Sequence, residues 1–355
     1  MVSQINLVYF ALARANHSQY YYGNNNGNVV DIMTARFFLI KITLGIILIL
    51  NCFPDAPRDN PLDPANGISL SGSVNRLYSN NALPNATIRL KPGNRISITN
   101  GNGIYQFSDI SPGNYSLIVS MDGFSSDTAE INIEKNIEVN FSLDSLPNFQ
   151  NISVTTTHIT HWFPPDDIYT VVLEAAGYDG DGTGDIKDVW YRIEQINFSD
   201  TLQRVAPGSN IFRGQAVASS LPVINLHELI GKPFMFFIED IPGNNSVSSP
   251  HFISRIIEET PQLASPVGLA IISSFPITFR WQAITNIQFP FTQKIEIYSI
   301  GLGLKVDEMS SIGSNMSEYI YSTPLSNGDY YWILYIVDEL GNQSGSKEGS
   351  FRVQI

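Results

Sequence analysis

Between Ile68 and Leu143 apolar side chains recur at every second position, and that period decides the fold class. Ile88 and Leu90 alternate with polar neighbours, as do Ile96 and Ile98, Tyr105 and Phe107, and Tyr115, Leu117 and Val119. Ile131 and Ile133 continue the pattern, followed by Ile137, Val139, Phe141 and Leu143. Neighbouring side chains of a strand point to opposite faces, so this spacing describes strands with one buried face. Turn formers separate the runs: Pro84-Asn85, Pro92-Gly93, Asn100-Gly101-Asn102-Gly103, Pro112-Gly113 and Asp122-Gly123. The stretch therefore predicts seven short strands in a small antiparallel sandwich. Composition agrees: charged residues make up only 15% of the chain, while Tyr and Phe number 16 and 20. Long charged helix formers are scarce, and aromatic side chains suit strands.

Two further modules follow. Val171, Leu173 and Ala175 alternate, then Val189, Tyr191 and Ile193, then Phe234, Phe236 and Ile238. The last part carries Phe279 and Trp281, Ile295 and Ile297, Tyr331–Val337, and Phe351 with Val353. The two modules also repeat each other. Ile238-Glu-Asp240-Ile-Pro-Gly243-Asn244-Asn-Ser246 matches Ile336-Val-Asp338-Glu-Leu-Gly341-Asn342-Gln-Ser344. This run reads as a terminal hairpin, with Asp closing the turn through its side chain and Gly-Asn taking the positive-φ positions. The expected architecture is all-β. Tandem antiparallel sandwiches occupy 68–146, 147–257 and 258–355.

Specific residues carry a family resemblance for the first sandwich. Ser71-Gly72-Ser73-Val74, Leu83-Pro84-Asn85-Ala86, Thr99–Phe107 and Ile110–Tyr115 follow one another as in carboxypeptidase regulatory-like domains. That resemblance implies a prealbumin-like fold whose motif residues serve structure rather than chemistry. The Trp281 and Asn327–Trp332 segments make the third module similar to bacterial fibronectin type III domains. The middle module resembles a more general immunoglobulin-like domain.

Upstream, Phe37–Cys52 (FFLIKITLGIILILNC) is a short apolar core preceded by Arg36. It is too short to span a bilayer, which needs about 20 apolar residues, and reads as a secretory signal peptide. Met33 is the expected initiator, with 33–51 as the signal and 1–32 as a mis-called or disordered extension. The core ends at Cys52, the chain's one cysteine. Ile49-Leu50-Asn51-Cys52 resembles the lipobox of bacterial lipoproteins, which implies lipid attachment at Cys52. It also implies a place in the cell envelope, at the outer membrane or surface. Residues 52–67 hold Pro54, Pro57, Pro61 and Pro64 and read as an extended tether. With one thiol no intrachain disulfide can form, so each sandwich must hold by core burial.

The formal charge of −13 disfavours nucleic acid as a partner. No Gly-x-Ser-x-Gly elbow, phosphate loop or dinucleotide fingerprint occurs, so a non-catalytic chain is expected. Asp179-Gly-Asp181-Gly-Thr-Gly184-Asp185 has the spacing that opens an EF-hand loop, although Trp190 stands where that loop needs a bidentate Glu. Asp179, Asp181, Asp185 and Asp188 are the candidate calcium ligands, set against a plain Asp-Gly turn between two strands. His158 and His161 fall on opposite faces of a strand and read as solvent-facing or loop residues. Of the four tryptophans, Trp281 and Trp332 read as core. The expected function is a lipid-anchored scaffold that binds or displays an envelope protein or polymer. The alternative is a carbohydrate-binding lipoprotein working beside secreted hydrolases.

Overall fold

The computed structural model describes residues 67–162, 165 and 167–355. The signal peptide, Cys52 and the proline-rich tether lie outside the described residues, Gly67 excepted. Every regular element longer than a 3₁₀ turn is a strand among the described residues.

The first module contains β1 (Ile68–Arg76), β2 (Thr87–Lys91), β3 (Arg95–Ile98), β4 (Ile104–Ile110), β5 (Gly113–Ser120), β6 (Asp127–Ile133), β7 (Ile137–Glu138) and β8 (Phe141–Leu143). One sheet runs β3-β2-β5-β6, and the other places β1 between β4 and the β7/β8 pair. Strands β7 and β8 are one interrupted strand: both run parallel to β1, at Leu70–Ser71 and at Val74–Arg76. The break is bridged by the backbone N–H of Val139 donating to Ser71 O (2.9 Å). The N–H of Ser73 then donates to the Asn140 side chain (2.7 Å). Seven effective strands result. Leu70, Val74, Ile88, Leu90, Leu117, Val119 and Ile133 are fully buried between the sheets, with Tyr105 and Phe107 among them.

Ile96 and Ile98 depart from the expectation. Both are exposed, because β3 is an edge strand whose alternating face turns away from the core. Period two shows that one face is uniform. It does not show which side the sheet presents to its partner.

The second module holds β9 (Asn148–Thr160), β10 (Asp167–Tyr178), β11 (Ile186–Ile193), β12 (Phe198–Arg204), β13 (Ile211–Val217), β14 (Met235–Asp240) and β15 (Asn245–Val247). β12 pairs with β11 along Phe198–Leu202 and with β13 through Gln203 and Arg204, so it passes between the two faces of the sandwich. Val171, Leu173, Val189, Ile193, Leu229, Phe236 and Ile238 fill the core.

The third module holds β16 (Leu263–Ser265), β17 (Ala270–Ile272), β18 (Ile277–Trp281), β19 (Phe291–Ser299), β20 (Leu304–Gly313), β21 (Glu318–Tyr321), β22 (Gly328–Asp338), β23 (Gln343–Gly345) and β24 (Gly349–Val353). Its core packs Trp332 against Phe279 at a centroid distance of 4.7 Å, with Trp281, Tyr321 and Phe351 around them. Trp332 Nε1 donates to Pro266 O (2.7 Å), so this buried indole leaves no donor unmet. The Tyr330 hydroxyl donates back to Ser326 O (3.0 Å), and in the first module Tyr115 does the same to Ser111 O (2.9 Å). Each tyrosine pins the turn that starts its own strand.

The second and third modules share a sheet. β9 is 13 residues long. Its first part pairs only with β10, and its far end also runs parallel to β23, with Thr157, His158 and Ile159 opposite Gln343, Ser344 and Gly345. The sheet therefore continues from one module into the next.

Gly72 allows the close approach in the first module. A Cβ there would sit 1.7 Å from Val139 O and 2.9 Å from the Tyr105 hydroxyl, which itself donates to Val139 O (2.6 Å). Neither backbone nor the fully packed ring can yield that space. Gly72→Ala is expected to destabilise the first module by about 1–3 kcal/mol, seen as an earlier first transition in urea unfolding. An unchanged curve would mean that the β1–β7 contact is not needed.

Candidate metal centre and the two module junctions

Three of the four aspartates singled out in the sequence come together, and two others join them. The loop between β10 and β11 carries Asp179, Asp181 and Asp185. Asp181 N donates to Asp179 Oδ1 (2.8 Å), and Asp185 N donates to Gly182 O (3.0 Å), which coils the loop tightly. Asp144 arrives from the end of the first module, and Asp240 from the end of β14. One carboxylate oxygen from each of Asp144, Asp181 and Asp185 lies within 4.8 Å of the others. The same holds for Asp179, Asp185 and Asp240, so Asp185 belongs to both triads. Asp188 is elsewhere. It follows Lys187 on β11, its side chain is half exposed, and its carboxylate lies 4.0 Å from the Lys187 ammonium. A register shift in β11 between Ile186 and Asp188 leaves Lys187 and Asp188 both exposed and carries Asp188 away from the cluster.

The loop reaches the first module because Gly180 has no side chain: a Cβ there would meet Ser145 Oγ at 2.4 Å. Two contacts close the joint. Ser145 N donates to Asp181 Oδ2 (2.6 Å), and Arg76 Nη1 donates to Gly180 O (2.7 Å). Asn244 completes it from the hairpin. Its amide donates to Asp144 Oδ2 and to Asp240 Oδ2 (3.0 Å for the latter).

The cluster is buried and negative. Asp179 is 4% exposed, Asp185 5% and Asp240 0%. Asp144 Oδ1, Asp179 Oδ2, Asp181 Oδ1 and Asp185 Oδ2 have no hydrogen-bond partner. Among the described residues, no lysine or arginine forms an ion pair with any of the five. Burial, reinforced by the charges of Asp240, Asp185, Asp181 and Asp179, pushes the Asp144 carboxyl up to about 7. Burial likewise lifts Asp179 to about 6, against the opposing N–H of Asp181. Asp185 is raised by burial and by Asp240 and Asp181.

The second junction uses the same hairpin with a different partner. Asp338 Oδ1 accepts from Leu340 N and Asn342 N (both 2.9 Å), as Asp240 Oδ1 accepts from Gly243 N (2.8 Å) and Asn244 N (2.7 Å). Gly243 and Gly341 have φ of 98° and 90°, as expected for the turn. The two asparagines keep ordinary φ and use their side chains across the junctions instead. Asn342 Oδ1 accepts from Thr156 N (3.0 Å), and its amide donates to Ser254 Oγ (2.9 Å). In the third module β24 follows this hairpin, so it is not terminal there. Arg255, from the segment linking the modules, places Nη1 2.6 Å from Asp338 Oδ2 and lies over the Phe289 ring at 4.0 Å.

The histidines belong to this second junction. His158 is buried rather than solvent-facing. It stacks on Tyr169 at 4.2 Å, and its Nδ1 donates to Ile257 O (3.1 Å). His161 Nδ1 meets Glu348 Oε1 at 2.5 Å, and Trp162 Nε1 donates to Glu348 O (2.8 Å). Both positions are occupied in joining β9 to the third module. Trp190 stacks on Phe237 at 5.3 Å on the second module. Trp281 and Trp332 are core, as the sequence implied.

Residues 70–154 match the family model described as a CarboxypepD_reg-like domain. This agrees with the resemblance read from the Ser71–Tyr115 motifs. The match ends within β9, which pairs with the second module. No curated protein sequence matches the chain. A type II cohesin–X-dockerin complex from Acetivibrio cellulolyticus is 17% identical over 21% of this chain, with a TM-score of 0.20. The matched part spans about half, 53%, of that chain. The major pilin subunit of Bacillus cereus is 10% identical over 78% of this chain and 91% of its own, with a TM-score of 0.29. Fibronectin(III)-like modules of Clostridium thermocellum CbhA are 12% identical over 59% of this chain and 94% of theirs, with a TM-score of 0.26. Likenesses this distant do not bear on function.

Two outcomes are expected. Asp338 is held almost without solvent, so Arg255→Ala leaves a buried carboxylate uncompensated. It should cost about 3 kcal/mol in thermal unfolding, and adding Asp338→Asn should recover most of the loss. At the first junction the folded carboxyls bind protons more tightly than unfolded ones. Their stabilising contribution is therefore complete below the unfolded carboxylate range and is lost as pH rises through about 6 and 7. In metal-free buffer the melting temperature should fall between about pH 5 and about pH 8. A rise across that window would contradict the assignment.

Proposed function

We propose that the chain is a lipid-anchored, non-catalytic scaffold of the cell envelope, tethered through Cys52 and carrying its sandwiches as a stiffened row. The observation that carries this reading is β9. One strand serves two modules, and backbone and side-chain groups from Thr156 to Trp162 are spent on the next module through Asn342, Gln343, Ser344 and Glu348. A chain that commits so much polar surface to fixing module orientation is suited to holding a surface in place. The first sandwich supports the same role, because its motif residues are used in turns and packing.

The anchor rests on the sequence: a short apolar core ends at the one cysteine, and proline-rich residues follow. A diacylated N-terminus is retained far better than one chain, at about 0.8 kcal/mol per buried CH₂. The partner in this reading is a protein or polymer of the envelope.

Intact-mass analysis of the N-terminal peptide from membranes tests the anchor. A diacylated peptide beginning at Cys52 is expected, and a peptide containing residues 20–50 would overturn it. Binding is tested with the full-length protein. Saturable capture of one envelope protein supports a protein-displaying scaffold. Retardation in a polysaccharide-containing gel moves the reading to the carbohydrate-binding alternative. Failure of both would remove the binding role.

A further inference from the structure

The second and third modules present the same hairpin to their junctions, and this makes each a control for the other. Ile186 pairs with Asp240 across β11 and β14, and Phe291 pairs with Asp338 across β19 and β22. The two registers are equivalent, so the loop before β11 and the loop before β19 occupy the same place. At the second junction the loop, Gln282–Pro290, contains no carboxylate. There the hairpin aspartate receives a guanidinium, and Phe289 supports it. At the first junction the loop supplies Asp179, Asp181 and Asp185, and the preceding module supplies Asp144. The arginine of this junction, Arg76, donates to Gly180 O and forms no ion pair with the aspartates, and the hairpin aspartate is met by further carboxylates instead.

From this contrast we infer that Asp144, Asp179, Asp181, Asp185 and Asp240 form a calcium site that clamps the first module to the second. The unpartnered oxygens point to it independently of the charge count. Asp179 and Asp185 are at least nine-tenths buried, and each leaves Oδ2 without a donor within the cluster. Among the described residues, four of the eight buried side-chain atoms that lack a partner are carboxylate oxygens of this one site. Buried polar atoms are otherwise almost always satisfied. Carboxylates within 4.8 Å of one another and shielded from water repel. A divalent cation converts those repulsions into attractions.

The donor chemistry selects the ion. All five groups are carboxylates, with no imidazole or thiolate among them, which suits a hard cation. Calcium accepts six to eight oxygens in irregular geometry, whereas magnesium demands a near-ideal octahedron. Two triads sharing Asp185, drawn from a linker, a loop and a hairpin, fit the more tolerant ion. The ligands come from both modules, so binding couples to the angle between them. The clamp does not depend on what the scaffold displays or binds.

Titration calorimetry and thermal melting of the full-length protein, with calcium chloride against EDTA, test the site. Wild type should bind calcium and melt at a higher temperature with it. Asp185→Asn removes the charge common to both triads without changing the side-chain shape. It should melt in EDTA at least as high as wild type, which shows that it folds, and should lose both the calcium heat and the calcium shift. Asp188→Asn should keep both. Small-angle scattering adds a structural readout: calcium should narrow the distance distribution of wild type and leave that of Asp185→Asn unchanged. No calcium response in wild type, an undiminished response in Asp185→Asn, or a response to magnesium alone would overturn the proposal.

Discussion

A carboxylate buried at the tip of a hairpin needs a positive partner, and both junctions of this molecule are built around that need. Asp240 and Asp338 each fix a turn by accepting two backbone N–H bonds with one oxygen. The second oxygen accepts from the asparagine amide of the same hairpin. At the second junction Arg255 meets it. At the first, the Asn244 amide meets it and the other groups nearby are carboxylates. The same local turn thus yields two kinds of joint, one closed by a guanidinium and one lined with carboxylates, where we propose a cation.

The second constraint is that no disulfide is available to fix the modules to one another. Stiffness must come from hydrogen bonds and shared strands. β9 does this by running past its own module to pair with β23, and Asn342 ties Thr156, Ser254 and Asp338 into one network. Such a network is worth little per bond in water, about 1 kcal/mol net each, but breaking it leaves buried groups unsatisfied. The resulting row of sandwiches has a defined orientation between its second and third members, which suits a scaffold.

Much of this was legible beforehand, and the misses have physical causes. Alternation located the three cores, down to Val171, Leu173 and Phe236. It failed at Ile96 and Ile98, where an edge strand turns its uniform face outward. The Asp-x-Asp-x-x-Gly spacing found three members of the acidic cluster because a tight loop brings its own residues together. It wrongly recruited Asp188, since the loop becomes a strand at Ile186. His158 carries no sequence mark of burial, because the residues that cover it, Tyr169 and Ile257, are distant in the chain.

Sequence alone determined the all-β class, the modular repeat, the turn chemistry of the Asp-Gly-Asn hairpins and the missing disulfides. These depend on neighbours within a few residues, where backbone geometry is dictated locally. Tertiary structure alone decided which residues meet at the junctions. Asn244 bridges Asp144 and Asp240 across two modules, and β9 finds β23 nearly two hundred residues away. Long-range pairing of that kind leaves no periodic trace, because it is set by how finished sandwiches pack end to end rather than by the pattern within any one of them.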